Sequence, residues 1–182
     1  MARRTIFAGF RQAALALWGA EGLQQCAGRM SAEARSACID PVVIDKEMLP
    51  ERFVLEWFTA AWEGPSQRDR GAYNAFLDRM MDHGFGLVRK FLLRMAKPEL
   101  VIQKCGELWR HDHTHGELTY QLTDRCSASV ALSDHVYLET ALARSSIAEI
   151  YRYALSLSAA KDARAQHHLE CTRRLIVRLT WS

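Results

Sequence analysis

The spacing of apolar side chains in this chain changes once, near Gly116, and that change limits the folds open to it. Before Gly116, apolar residues recur every three or four positions, which is typical of amphipathic helices. After it, two segments alternate apolar and polar residues, as strands with one buried face do, and a helical stretch separates them. We therefore predict an α+β fold, mostly helical over residues 1–110 and completed by a β-hairpin, a long helix and a second β-hairpin over residues 117–181.

The helical part divides into several segments. Predicted helices cover residues 6–18, 53–62, 73–95 and 98–109. Gly19 and Gly22 should stop or kink the first of them, and a short helix should follow. Asp40-Pro41 marks a break, because the residue before a proline avoids the helical region, so residues 40–50 are predicted to form a loop or a short extended segment.

Two hairpins are predicted in the remaining third of the chain. Leu118, Tyr120 and Leu122 alternate with polar residues, and the strand that follows returns after a turn at Asp124-Arg125. The final segment alternates in the same way over residues 165–181. Helical spacing over residues 135–156 links the two hairpins, so that helices can cover one side of a small sheet.

Composition indicates one ordinary globular domain over residues 1–182. Hydrophobic residues make up 49% and charged residues 25% of the sequence, which is enough for a sizeable core. A net charge of +3 is too mild for a surface that follows phosphates, so no nucleic acid is expected. The longest apolar run, Ala13–Leu17, is far shorter than the ~20 residues that span a bilayer.

Cysteine usage indicates a reducing compartment. The five cysteines are widely spaced, form no C-x-x-C pair and follow no signal peptide, which predicts a cytoplasmic protein. Cys26, Cys105 and Cys171 lie among apolar neighbours, and we expect them to act as small core residues.

Several short segments together resemble a known family. They are Phe7-Ala8-Gly9-Phe10, Gly22-Leu23, the long helix with Gly84 and Gly86, Lys97-Pro98-Glu99-Leu100 leading to Leu108-Trp109-Arg110, Gly116-Glu117-Leu118, Cys171 and Trp181. On these features the chain resembles an uncharacterised bacterial family, greatly expanded in myxobacteria, whose members share this length and order of elements. The resemblance covers nearly the whole chain.

That architecture is in turn similar to the fold shared by the four-vinyl-reductase domain, the haem nitric-oxide sensor domain and a Golgi tethering subunit. The resemblance implies a pocket between helices and sheet for a small apolar ligand, haem or an acyl group, and a binding module more than a catalyst. The Tyr-x-Ser-x-Arg propionate clamp of the haem sensors is missing, since Tyr137 and Arg144 are too far apart to imitate it. No haem-ligand motif falls on His83 or His135, so we expect no haem and no other organic cofactor.

A histidine-rich segment, His111-Asp112-His113-Thr114-His115, precedes the first predicted strand. Alternation would put the imidazoles of His111, His113 and His115 on one side of an extended segment, where they could bind zinc or another divalent metal. The alternative is a polar connector that happens to be rich in histidine. His167, in the last hairpin, is predicted to be a core histidine.

An aromatic and methionine-rich set lies on the predicted helices. Its candidate ligand-binding members are Trp57, Phe58, Met81, Phe85 and Trp109. Core packing explains the same residues, and an exposed part of the face would serve dimerisation. The sequence leaves these alternatives open.

The motifs of common enzymes are missing. We find no P-loop, no dinucleotide-binding glycine motif, no H-E-x-x-H and no paired-carboxylate signature, which disfavours an enzyme. The sequence therefore predicts a non-enzymatic sensory or adaptor module that binds a small hydrophobic ligand, a protein partner or a second copy of itself. The alternative is a metal-binding protein or metal-dependent enzyme centred on His111, His113 and His115. A third reading is an adaptor with a basic surface at Arg174 and Arg178.

Overall fold

The structure is a computed structural model that describes residues 1–39 and 48–182, with residues 85–93 described by their backbone alone. Its contacts divide the chain into two compact units, Met1–Gly84 and Phe85–Ser182. The prediction of a single domain over residues 1–182 stays a prediction. No helix among the described residues is long and apolar enough to cross a bilayer.

The first unit is built from helices and one short strand pair. Its elements are β1 (Ala2–Arg3), α1 (Arg4–Ala27), α2 (Ala32–Ile39), β2 (Met48–Leu49), α3 (Arg52–Glu63) and the first part of α4 (Arg70–Met95). Strands β1 and β2 pair antiparallel, and α1 packs against α2 and α3. Of the predicted loop at 40–50, residues 40–47 lie outside the described residues, and Met48–Leu49 is extended as expected.

The predicted kink in the first helix is confirmed at Gly19. Its φ of 66° and ψ of −166° interrupt α1, in a backbone region that glycine enters without steric cost. The kink folds the next turn close to Trp18, so that a Cβ at Gly22 would overlap the Cβ of Trp18. Both glycines are therefore needed for the path of α1.

Aromatic side chains fill the interior of the first unit. Phe10 of α1 stacks on Trp57 at a ring distance of 5.6 Å, meets Phe58 edge-on at 5.6 Å and stacks on Phe76 at 5.8 Å. Trp18 stacks on the other side of Phe76 at 5.0 Å. Since burying one such side chain stabilises a fold by about 1.5–3 kcal/mol, this stack is the main apolar core of the unit.

The second unit is a four-stranded antiparallel sheet with two helices on it. Its elements are α5 (Pro98–Asp112), β3 (Glu117–Asp124), β4 (Ser127–Ser133), a short 3-10 helix (Val136–Leu138), α6 (Ala141–Ser156), β5 (Arg164–Cys171) and β6 (Arg174–Thr180). The strand order is β3-β4-β6-β5, with α5 packed on β3 and α6 on β5. The α+β fold class and both hairpins are confirmed, and α6 begins at Ala141 because Thr140 caps it through Oγ1.

Burial along the sheet follows the position of each strand. Leu132 of β4 and Leu175 of β6 face each other in the centre and are 1% and 0% exposed. Leu169 of β5 has the same alternation but is 39% exposed, because β5 is an edge strand. For the same reason, the predictions that His167 and Cys171 lie in the core are wrong: both are exposed.

Candidate functional site: a ring cluster in the second unit

Five rings from neighbouring segments of the second unit meet in one place. They belong to Trp109, His113, His115, His135 and Tyr137, which we call the ring cluster. Trp109 lies in the last turn of α5, and His113 and His115 lie in the connector from α5 to β3. His135 and Tyr137 lie where β4 leads into the 3-10 helix. The end of one helix and the end of one hairpin are thereby joined.

The rings contact one another face to face and edge to face. His113 stacks on Trp109 with centroids 3.9 Å apart and an interplanar angle of 18°. His135 meets Trp109 edge-on at 4.8 Å and Tyr137 at 4.2 Å, and His115 stacks on His135 at 5.1 Å. Such pairs stabilise a structure by about 0.5–1.5 kcal/mol beyond their buried area.

Backbone geometry at Gly116 holds the cluster closed. The indole N–H of Trp109 donates to the carbonyl oxygens of His115 and Gly116, at 3.3 and 3.1 Å. Gly116 has a φ of +77°, and a Cβ there would lie 2.7 Å from Cδ2 of His135. Glycine is required at this position for both its conformation and its lack of a side chain.

His135 is the most enclosed imidazole of the cluster, with 6% of its surface exposed. Its Nδ1 accepts the backbone N–H of Tyr137 at 3.3 Å and so caps the start of the 3-10 helix. The preceding residue, Asp134, has a φ of 54° and is tied to the turn between β5 and β6: its N–H donates to the carbonyl of Arg173 at 3.0 Å, and its Oδ1 accepts the Nε–H of Arg173 at 2.6 Å.

A cleft of about 370 Å³ lies beside the cluster. Its lining combines imidazoles with charged groups and short apolar side chains, from His115, Asp134, His135, Val136, Leu138, Glu139, Thr172 and Arg173. The cleft can therefore accept a small ligand that offers both hydrogen-bonding and apolar surface.

Two ionisable groups lie near each other where α5 packs on α6. Burial raises the pKa of the Cys105 thiol to about 11, against a slight lowering by hydrogen bonds to the backbone of Gly106 and of Cys105 itself. Burial also raises the pKa of the Tyr151 phenol well above its usual range, and the negative charges that Cys105 and Asp112 can carry add to the rise. Both groups are therefore neutral at neutral pH, and Cys105 offers no thiolate nucleophile.

The structure brings three of the predicted site residues together and leaves others apart. Trp109, His113 and His115 lie in the ring cluster. His111 does not: its Nδ1 pairs with Oδ1 of Asp112 at 2.8 Å. Within the described residues, His111, His113 and His115 do not converge as one three-nitrogen metal site.

The sequence analysis missed His135 and Tyr137 as cluster members, although a signal for them exists. The hairpin turns at residues 125–126 and, through one register shift, pairs Glu117 with Ser133, one position from the partner that a turn at 124–125 would give. Residues just before 117 and just after 133 must then be neighbours, which places Gly116 beside His135.

The remaining predicted ligand-binding residues belong to the first unit or to its boundary. Trp57 and Phe58 are 0% and 1% exposed in the aromatic core. Met81 is half-buried, and the side chain of Phe85 lies outside the described residues. A ligand-binding role for these residues stays a prediction.

Comparison with known proteins identifies the fold. No family model and no curated protein matches the chain. Solved structures do: an H-NOX protein from S. oneidensis in the Fe(II) ligation state is 11% identical with a TM-score of 0.68, and the match covers 99% of this chain and 96% of that one. An unliganded Fe(II) H-NOX protein from K. algicida is 10% identical with a TM-score of 0.62 over 99% and 96% of the two chains.

Two further matches come from studies of haem distortion in the H-NOX family and of haem redox potential, at 10% identity each and TM-scores of 0.62 and 0.61. The first match covers 98% of this chain and 94% of the matching chain, and the second covers 96% and 92%. The expected likeness to the haem nitric-oxide sensor fold is confirmed, whereas the resemblance to a myxobacterial family stays a prediction.

One expectation must be corrected. We expected no cofactor, or else zinc or another divalent metal at His111, His113 and His115. The comparison contradicts this, because structures that share the fold come from studies of haem proteins.

The histidines of the second unit differ in how well they suit haem iron. His135 is a poor axial ligand as it stands, since its Nδ1 accepts a hydrogen bond and the proton of the neutral ring must then sit on Nε2. His111 has the opposite arrangement: the carboxylate of Asp112 accepts the Nδ1 proton, which places the lone pair of the neutral ring on Nε2. The free lone pair on Nε2 of His111 is therefore suited to bind haem iron, on a chain that has the fold of H-NOX domains.

Proposed function

We propose that this chain is a sensory module whose small ligand is haem. The observation that carries the proposal is the likeness of fold to H-NOX haem proteins along 99% of the chain, so that the likeness is not limited to one motif. Haem is also a largely apolar small molecule, in keeping with the hydrophobic ligand that the sequence predicts.

His111 is the axial ligand in this proposal. Its ring is oriented by Asp112, the arrangement by which a carboxylate fixes the tautomer of a metal-bound histidine and raises its basicity. Bound haem would supply an iron centre at which a small gaseous ligand can be taken up. His111 and Trp109 both lie in the last turn of α5, so a shift of that turn on binding would also move Trp109 of the ring cluster.

The ring cluster gives the module a route to an output surface. Trp109 joins the end of α5 to the β3–β4 hairpin, and Asp134 joins that hairpin to the β5–β6 turn. A two-state shift at the end of α5 would therefore reach exposed loops that a protein partner can contact. This supports a role as a sensor that acts through a partner, without a catalytic step of its own.

A haem titration tests the proposal. Haem added to the purified protein should give a saturable Soret band at one equivalent, with the shape of histidine-ligated iron. His111→Ala should shift the band or weaken binding at least tenfold, and Asp112→Asn should weaken binding less. His83→Ala, at an exposed histidine of the first unit, is the matched control and should behave like the unaltered chain.

The proposal fails if the unaltered protein gives only the spectrum of free haem, with no saturation. A saturable band that His111→Ala leaves unchanged would keep haem as the ligand and overturn the assignment of the axial residue.

A further inference from the structure

We propose that two copies of this chain pair antiparallel along the outer edge of β5, in a register centred on His167, and so form a continuous eight-stranded sheet. This inference depends on β5 alone and holds whether or not haem binds.

Strand β5 is an edge strand whose side chains are almost all exposed. In the order β3-β4-β6-β5 its described strand partner is β6. It is eight residues long, and every residue is exposed except Ala165, which is half-buried. Alternate residues of an edge strand direct their N–H and C=O groups outward, which provides a template for another strand.

The side chains of β5 are self-complementary in one register. When His167 lies opposite His167 of a second copy, Arg164 lies opposite Glu170 of that copy, and the twofold axis repeats this pair. Gln166 then faces His168, so polar groups fill the rest of the same face. Opposite charges placed directly across two strands stabilise the pairing, and like charges in the same positions destabilise it.

On the other face of the same register, apolar side chains flank the central pair of His167 residues. Ala165 lies opposite Leu169 of the second copy, again twice. Leu169 is 39% exposed in the single chain. Pairing would cover it and extend the apolar face that Leu175 and Leu132 form in the centre of the sheet.

Neighbouring registers lose this agreement. A shift by two residues in one direction places Arg164 opposite His168 and leaves Glu170 beyond the end of the partner strand, so that no opposite charges meet. A shift by two in the other direction places Arg164 opposite Thr172 and removes the charge pair. A shift by one residue would turn apolar side chains against polar ones. The charges therefore specify one register.

Two charge reversals test the interface. Arg164→Glu puts a second carboxylate opposite Glu170, and Glu170→Arg puts a second guanidinium opposite Arg164, so each variant alone should be a monomer. Mixed together, the two variants restore both opposite-charge pairs and should form a heterodimer. Arg178→Glu is the matched control: it makes the same charge change on an exposed position of β6, away from the edge, and should stay dimeric.

Sedimentation equilibrium of the full chain measures the outcome, with circular dichroism to show that each variant is folded. We expect a dimer for the unaltered chain, monomers for the two single variants and a dimer for their mixture. A monomeric unaltered chain at all concentrations would refute the proposal. So would a dimer that Arg164→Glu leaves intact, or an equal loss of dimer in Arg178→Glu, because the contact would then lie elsewhere.

Discussion

Gly116→Ala adds one methyl group, and we expect it to destabilise the second unit more than the same addition at any other glycine of that unit. Two independent costs fall on the same position. Gly116 has a φ of +77°, where an L-residue pays about 1–2 kcal/mol. The new Cβ would also lie 2.7 Å from Cδ2, 3.0 Å from Cβ and 3.1 Å from Cγ of His135.

The ring of His135 has little room to move aside. It is 6% exposed and is enclosed by Trp109, His115 and Tyr137. Overpacking of a closed site costs about 1–3 kcal/mol. Together with the backbone cost, Gly116→Ala should lower the free energy of unfolding by about 2–5 kcal/mol.

Urea unfolding measures this loss, followed by the fluorescence of the five tryptophans, of which Trp109 lies in the cluster. Gly84→Ala is the control. Gly84 lies in α4, and a Cβ there would meet no atom within 4 Å, so the same methyl group should stabilise that helix by up to about 1 kcal/mol. A free energy of unfolding for Gly116→Ala within about 0.5 kcal/mol of the unaltered value would contradict our account of the ring cluster.

Four other predictions concern the cores and the thiols. Phe10→Ala should lower the free energy of unfolding by about 3–5 kcal/mol in the same urea assay, because it empties the centre of the aromatic stack. Trp109→Phe keeps the stacking but removes the donor to two carbonyls, and should cost about 1–3 kcal/mol. Under native conditions an alkylating reagent should modify two of the five cysteines by mass spectrometry, the exposed Cys126 and Cys171. The other three cysteines are buried. Burial raises the pKa of the Cys26 and Cys38 thiols from 9.0 to about 12, and that of the Cys105 thiol from 9.0 to about 11. These pKa values are higher in the folded chain than in the unfolded chain. The free energy of unfolding should therefore keep its full value below pH 9 and fall as the pH rises towards 11–12, which the urea midpoint at each pH measures.

The periodicity of the sequence is sufficient to predict the elements of this fold. Strand alternation is a local property and survives in the structure, whereas the turn lies one residue further along than predicted, at residues 125–126, because β3 continues to Asp124. The positions of strands within the sheet are not local. Alternation assigns His167 and Cys171 to the apolar face but cannot show that β5 lies at the edge, where that face is open to solvent. Their predicted burial failed for that reason.

The candidate site was predictable only in part, for a similar reason. His113, His115 and Trp109 lie close together in sequence and attract attention as a cluster. Whether they meet His135 depends on hairpin register, which brings residue 117 opposite residue 133. Haem was not expected from the sequence because the clamp motif is not present, and a likeness of fold at about 10% identity leaves no such motif in the sequence.

Two positions of positive φ lie at the open end of the β3–β4 hairpin, and they explain why the cluster forms there. Gly116 precedes β3 and Asp134 follows β4, and the strands between them pair Glu117 with Ser133. Glycine adopts this conformation without a steric cost. Aspartate has an energetic cost there, which is smaller than for most residues because its short side chain can form local hydrogen bonds. Here the backbone N–H of Asp134 donates to the carbonyl of Arg173, and the Asp134 carboxylate accepts the Nε–H of the same residue. Both bonds tie the chain to the β5–β6 turn where it leaves the sheet, directly before His135. The cleft is therefore bordered by this turn as well as by the rings, since Asp134 and Arg173 both line it.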